Sequence, residues 1–185
     1  MESKTDRDLV LACLVGEAAA FEALLGRYQV RVFSFILRSA GNAADAEDLC
    51  QETFLKAFDN LEAYDQERPL AAWLLGIAHN AVVDLLRSRK PAVSLDDEAE
   101  PLELPDPGPS VEGAVQAAWD QETMARLVAE LPPLYREALV LRHSEGLDYA
   151  SLAEVLQIPE GTAKIRLFRG RELLRRKLTA LGYGA

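Results

Sequence analysis

Between residues 90 and 113 the chain reads KPAVSLDDEAEPLELPDPGPSVEG, with five prolines, seven carboxylates and no cation after Lys90. Proline lacks a backbone N–H and fixes φ, so no helix or central strand can run through such a stretch. Its like charges repel, and its apolar residues follow no period that would bury one face. An extended tether is the expectation. A single core cannot pass through it, so the chain should fold as two small domains, residues 1–90 and 113–185, joined by a flexible, acidic, Pro-rich linker over 91–112.

On both sides the apolar residues recur with helical spacing. Upstream the pattern predicts helices over 6–14, 18–39, 43–61 and 69–88; downstream it predicts helices over 115–130 and 133–144, followed by two more. No strand alternation and no internal repeat stand beside them. The fold class is therefore all-α. With 185 residues, 49% of them hydrophobic, two modest cores are affordable. Cys13 and Cys50 fit no metal or redox spacing, so reduced thiols are expected, a cysteine switch being the alternative. The N-terminal 18 residues are too charged, and their apolar run too short, for a signal peptide. The longest later run, 70–78, is core-sized rather than bilayer-sized, and a cytoplasmic location follows as an expectation.

The segment 148–177, DYASLAEVLQIPEGTAKIRLFRGRELLRRK, reads as two helices around a turn. Asp148 can N-cap the first, whose apolar residues are Ala150, Leu152, Ala153, Val155 and Leu156; Ile158-Pro159-Glu160-Gly161 then breaks the pattern. The second helix runs to Leu178. Ala163, Leu167, Gly170, Leu174 and Leu178 fall at i, i+4, i+7, i+11 and i+15 and form its buried stripe. At about 100° per residue, Ile165, Arg169 and Arg176 point away, flanked by Lys164, Arg166 and Arg175. A basic outward face on the second helix of a helix-turn-helix suits the DNA major groove.

Charge limits what that face can do alone. The chain carries 20 basic and 30 acidic residues, a net −10, yet residues 160–178 hold seven Lys/Arg against two Glu. Phosphate neutralisation supplies most non-specific DNA affinity. A globally acidic chain should hold DNA weakly alone and strongly beside another DNA-holding protein, which is the position of a subunit.

Two upstream surfaces exceed what core packing needs. On 43–61, burying Ala46, Leu49, Cys50, Thr53, Phe54, Ala57 and Leu61 leaves Asp45, Asp48, Gln51, Glu52, Leu55 and Asp59 outside. This is either an ordinary solvated face or a docking face, with Leu55 as an apolar anchor ringed by carboxylates that seek a basic partner. On 69–88, if Leu70, Leu74, Ala78, Ala81 and Leu85 face the core, then Trp73, Gly76, Asn80, Asp84 and Arg87 share the opposite flank, with Arg89 and Lys90 at its end. An aromatic, an amide and cations on one ridge can stack a base, bond a base edge and hold phosphate. The plainer alternative is a half-buried Trp73 beside ordinary surface.

Enzymatic chemistry finds no foothold. His79 and His143 lie in different halves without clustered carboxylates or cysteines, and Gly161 and Gly170 belong to the turn and the packed stripe rather than to a phosphate loop. No catalytic residue, metal or cofactor is expected.

In this order, DAEDLCQETFLKAF (45–58), AAWLLGIAHNAVVDLLRSRK (71–90), the acidic linker and LPPLYREALVLRHSEGLDYASLAEVLQIPEGTAKIRLFRGRELLRRKL (131–178) resemble the extracytoplasmic-function group of bacterial sigma factors over nearly the whole chain. The resemblance implies a promoter-specificity subunit whose partners are core RNA polymerase, promoter DNA and an anti-sigma protein. Asp45, Asp48, Gln51, Glu52 and Leu55 would meet the coiled coil of the polymerase clamp. Trp73 and Asn80 match positions at the upstream edge of the minus-ten element, with Asp84, Arg87, Arg89 and Lys90 beyond them. The 61–70 loop, with Tyr64 and Arg68, matches the loop that receives a flipped base, and the tether matches the linker toward the active-site channel. Glu160, Thr162, Ala163, Lys164, Ile165, Arg166, Arg169, Arg175 and Arg176 would read the minus-thirty-five element. Two residues depart from the family's habit: Ile165 replaces the common Ser, and Ala163 replaces a β-branched residue. Ile165 offers either apolar contact with a thymine methyl or the loss of a phosphate contact. Glu160 either accepts from a cytosine amino group or stabilises the helix N-terminus. A free-standing helix-turn-helix regulator is the alternative function, and a helical interaction module without a DNA role is a third.

Overall fold

The computed structural model describes residues 4–89 and 121–182, and among these every regular element is helical. The chain divides into two compact units, Met1–Pro91 and Ala92–Ala185. The tether expected over 91–112 lies outside the described residues, as does 115–120 of the helix expected over 115–130.

The first unit holds α1 (Asp6–Leu14), α2 (Ala18–Ala40), α3 (Ala43–Asp59), a single 3₁₀ turn (Leu61–Ala63) and α4 (Leu70–Arg89). Thr5 starts α1 with a capping box: its hydroxyl accepts from the Asp8 N–H, and the Asp8 carboxylate accepts from the Thr5 N–H. Asp6 then ties α1 to α2, accepting from the Arg27 guanidinium and the Tyr28 hydroxyl. Gly41 closes α2 at φ 89°, in the left-handed region that a side chain would strain. One residue later Asn42 caps α3, accepting from the Asp45 N–H at 2.9 Å.

Helices α2, α3 and α4 pack against one another, with α1 on α2. Phe35 and Ile36 of α2, Ala46 and Ala57 of α3, and Leu75 and Val82 of α4 lie in the resulting core. The expected stripe on α3 is buried in full. That helix ends at Asp59, however, because the Asn60 side-chain amide bonds back to the Lys56 carbonyl at 2.8 Å and the chain tightens into the 3₁₀ turn. On α4 the buried face is wider than the expected ridge: Ala72, Leu75, His79 and Val82 join it, and Leu85 is only half-buried. Helix α4 is long and apolar enough to cross a bilayer by length and composition alone, although its unbroken apolar run is the short one expected, 70–78. It is the one such helix among the described residues, with mean hydropathy 1.3 over its richest stretch. Its excess of apolar residues is that of a helix packed between two others.

The second unit holds α5 (Gln121–Ala129), α6 (Pro133–His143), α7 (Tyr149–Val155) and α8 (Glu160–Ala180). Pro133 opens α6 where its missing N–H is harmless. Asp148 caps α7, accepting from the Ser151 N–H at 2.8 Å, which holds its carboxyl below the usual range. The turn falls earlier than expected. Gln157 takes φ 53° and the Ile158 N–H returns to the Ala153 carbonyl, so α8 begins at Glu160 and Gly161 lies inside its first turn.

Helix α8 packs on α6, α7 and α5 through Ala163, Leu167, Gly170, Leu174 and Leu178, all buried. Leu127 of α5 joins Leu174 and Leu178, with Met124 and Val128 beside them. The Lys177 ammonium meets Glu130 at 2.7 Å across the same seam. Gly170 sets how closely α6 and α8 approach. A methyl there would lie 3.1 Å from the Leu139 side chain and 3.3 Å from the Tyr135 carbonyl oxygen, which is backbone and cannot turn aside. Alanine gains about 0.5–1 kcal/mol of helix propensity over glycine, whereas overpacking costs about 1–3 kcal/mol. Gly170→Ala should therefore destabilise this unit by about 1 kcal/mol, lowering its calorimetric melting temperature by about 4–8 °C. Gly76→Ala, where nothing lies within 4 Å of the new methyl, should be neutral or stabilising.

Candidate nucleic-acid interface

Helix α3 presents Asp48, Gln51, Glu52, Leu55 and Asp59 to solvent, with Leu55 65% exposed. A leucine that open, among carboxylates, contributes nothing to its own core. Glu52 pairs with Lys56 at 2.6 Å, one turn on. Such exposed i,i+4 pairs are worth only about 0.3–0.5 kcal/mol, so a partner's cation can displace the lysine. Asp45 does not share this open face. The Arg89 guanidinium donates to it at 2.6 Å, leaving its side chain 16% exposed. Arg89, itself exposed, thus reaches from the end of α4 to the start of α3. Two residues expected on different interfaces instead join the two helices.

The ridge of α4 carries Asn80, Asp84 and Arg87 in the open, with Trp73 and Gly76 half-buried. Lys90 lies outside the described residues. The Trp73 ring stands 5.0 Å from that of Tyr64, tilted by 42°. Tyr64 itself is buried; its hydroxyl donates to the Arg68 carbonyl, and burial pushes its ionisation up. It braces the 61–70 loop from inside and offers no open ring to a base. Arg68 remains exposed on that loop, 3.5 Å from Asp65. Trp73, fixed by Tyr64 beneath it, is the aromatic surface at that corner. Both thiols are raised by burial, Cys13 half-buried and Cys50 fully, and neither has the environment of a reactive thiolate.

On α8 the outward half carries Thr162, Lys164, Ile165, Arg166 and Arg169, each partly exposed, and Arg175 and Arg176, which are more open. Ala163 does not belong among them: it is 0% exposed, and its methyl fills the core of the helix-turn-helix. A residue on the buried stripe positions the reading face but cannot touch a base. Glu160 stands at the helix start and pairs with Lys164 at 2.6 Å. The Lys164 ammonium also lies 5.4 Å over the Tyr149 ring, and Arg142 lies 5.1 Å over the same ring. The Arg142 guanidinium donates to the Leu147 carbonyl at 2.7 Å, so this cluster fixes the loop before α7 against the first turn of α8.

Three residues were missed. Phe168 is a large exposed apolar side chain between Lys164 and Arg169, legible from its place one turn after Lys164. Tyr149 organises two cations and had no sequence signal beyond lying next to the cap. Glu172 falls on the same outward ridge as Ile165, Arg169 and Arg176, at i+7 from Ile165. Its carboxylate accepts from Arg175 Nη2 at 2.9 Å and Arg176 Nε at 3.3 Å.

One helical unit thus carries a helix with a basic outward face, and the other carries an acidic face with an exposed leucine and a ridge bearing Trp73 and Asn80. Residues 24–91 match the family pattern Sigma-70 region 2, and residues 121–174 match Sigma-70, region 4. The chain is 34% identical to the ECF RNA polymerase sigma factor SigW of Bacillus subtilis (strain 168), over 90% of this chain and 92% of that one. It superposes on CnrH, solved in complex with the cytosolic domain of CnrY, with TM-score 0.68 and 26% identity over 95% of this chain and 97% of that one. The sigma factor RpoE, in complex with the anti-sigma factor NepR from Bartonella quintana, gives TM-score 0.66 and 25% identity over 86% and 96%. The chain belongs to the ECF RNA polymerase sigma factors.

The Asp45–Arg89 contact has a pH signature. The guanidinium hydrogen bond holds the Asp45 carboxyl below its ordinary 3.8. Stability from a depressed carboxylate is present above the unfolded pKa and fades as pH falls through the folded one. Arg89→Ala should return the Asp45 carboxyl upward toward 3.8 in an NMR titration and flatten the acid limb of the first unit's stability profile.

Proposed function

We propose that this protein binds core RNA polymerase through α3, reads the upstream promoter element with α8 and attends the melting element with α4. It is an initiation factor, and the polymerase supplies the chemistry. The observation that carries this reading is the pairing of an exposed Leu55, ringed by acids, with a basic outward ridge on α8 in a chain of net charge −10. Each surface alone fits several functions. Together they fit a subunit that borrows affinity from a larger DNA-holding partner. In this reading Asp48, Gln51, Glu52 and Leu55 form the docking face, and Trp73, Asn80, Asp84, Arg87 and Arg68 lie along the melting strand. Thr162, Lys164, Ile165, Arg166, Arg169, Arg175 and Arg176 face the upstream duplex. The work is done in the cytoplasm, where polymerase and promoter are.

Its membership of the ECF group, and the relative solved with an anti-sigma factor, support control by an anti-sigma protein that covers these surfaces.

Co-purification with core polymerase and run-off transcription test the assignment. Leu55→Lys should weaken core binding by at least about tenfold while leaving helicity unchanged, as loss of a central apolar anchor does. Arg169→Glu should leave core binding intact and abolish transcription that depends on the upstream element. A chain that neither binds core nor directs initiation contradicts the proposal, and tight promoter binding without core would favour a free-standing regulator.

A further inference from the structure

The outward ridge of α8 should be its most positive line, yet its middle is occupied by an acid. Ile165, Arg169, Glu172 and Arg176 fall at i, i+4, i+7 and i+11, opposite the buried stripe. Glu172 is only 30% exposed there because two guanidiniums close over it. Arg175 donates through Nε at 3.2 Å and through Nη2 at 2.9 Å, taking both carboxylate oxygens, and Arg176 adds Nε at 3.3 Å. The Arg175 contact uses the forked edge with which arginine grips a phosphate. Glu172 and a DNA phosphate therefore compete for the same donors; they cannot both have them. Glu160 holds Lys164 in the same way, so both acids of α8 bond cations of their own helix.

We propose that Glu172 is an intramolecular stand-in for a DNA phosphate, holding Arg175 and Arg176 in reserve until duplex displaces it. The inference rests on the reading that the outward face of α8 meets DNA. Its benefit is to a subunit that must stay off random DNA while free: the cations count toward affinity only after the carboxylate has been exchanged. Because the Arg175 and Arg176 side chains are mostly in solvent, the hold is weak and reversible. Duplex held in place by a larger assembly can break it, and duplex met by the free chain gives up a small part of its contact energy to do so.

The test is fluorescence anisotropy of the full chain on a labelled 30-base-pair duplex without promoter sequence, from about 50 to about 200 mM KCl. Glu172→Gln should bind about three- to tenfold more tightly at the low-salt end, with a log–log salt slope steeper by about one counterion. Glu22→Gln, an exposed carboxylate on α2 that makes the same change in net charge, should shift affinity by less than about twofold. Unchanged binding by Glu172→Gln would leave Glu172 as ordinary helix support. Weaker binding would mean that it pre-positions the arginines, and an equal gain from Glu22→Gln would reduce the effect to net charge; each overturns the proposal. The double variant Arg175→Ala/Arg176→Ala separates this from the underlying reading. If it weakens binding while Glu172→Gln does not strengthen it, the inference alone fails. If it has no effect, this end of α8 does not meet DNA and both fail.

Discussion

A polyanion and a chain with ten surplus negative charges repel on close approach, and that repulsion sets the terms on which the surfaces of this protein operate. The cations are concentrated on α8 and at the end of α4, while acids line α3. Within a Debye length of about 8 Å at physiological salt the basic ridge can still attract phosphate. Beyond that distance charges of either sign are largely screened, so the surplus acids oppose DNA only where they lie close to it. In the proposed function, weak DNA binding by the free chain and attraction toward a basic protein partner both come from one charge distribution.

The geometry that separates these charges is inexpensive. Helix α8 is held by a narrow stripe of five buried residues, two of them Ala163 and Gly170, so α6 and α7 can come close while the rest of the helix stays at least partly in solvent. Small residues on the inside free the outside for arginine. In the first unit the apolar demand falls on α4, buried on a broad face, which leaves α3 a half-surface with no structural task. Leu55 is open because the α3 core is complete without it.

Much of this was legible in the sequence. The α8 stripe, the α3 stripe and the Asp148 cap follow from a 3.6-residue period and from capping chemistry, both local properties of the chain. Partners brought together by tertiary structure were not legible. Nothing in the spacing of Asp45 and Arg89 announces that they meet, because their contact depends on how α3 and α4 cross. Tyr64 reads in sequence as an available aromatic, and only the return of the loop onto α4 shows it buried under Trp73. Ala163 could have been excluded from the reading face by its own place on the buried stripe. Glu172 was hidden for another reason: an acid within a basic run reads as background until the ridge is drawn through it.

On the proposed function, this chain's DNA affinity is conditional on its protein partner. The most direct measurement is the affinity of a promoter duplex for the chain, alone and with saturating core polymerase, at about 150 mM salt. The isolated chain should bind no more tightly than the non-specific range of about 10⁻⁴–10⁻⁶ M, and core should bring promoter binding into the range of about 10⁻⁸ M or tighter. Nanomolar promoter binding by the chain alone, or an affinity that core leaves unchanged, would contradict it.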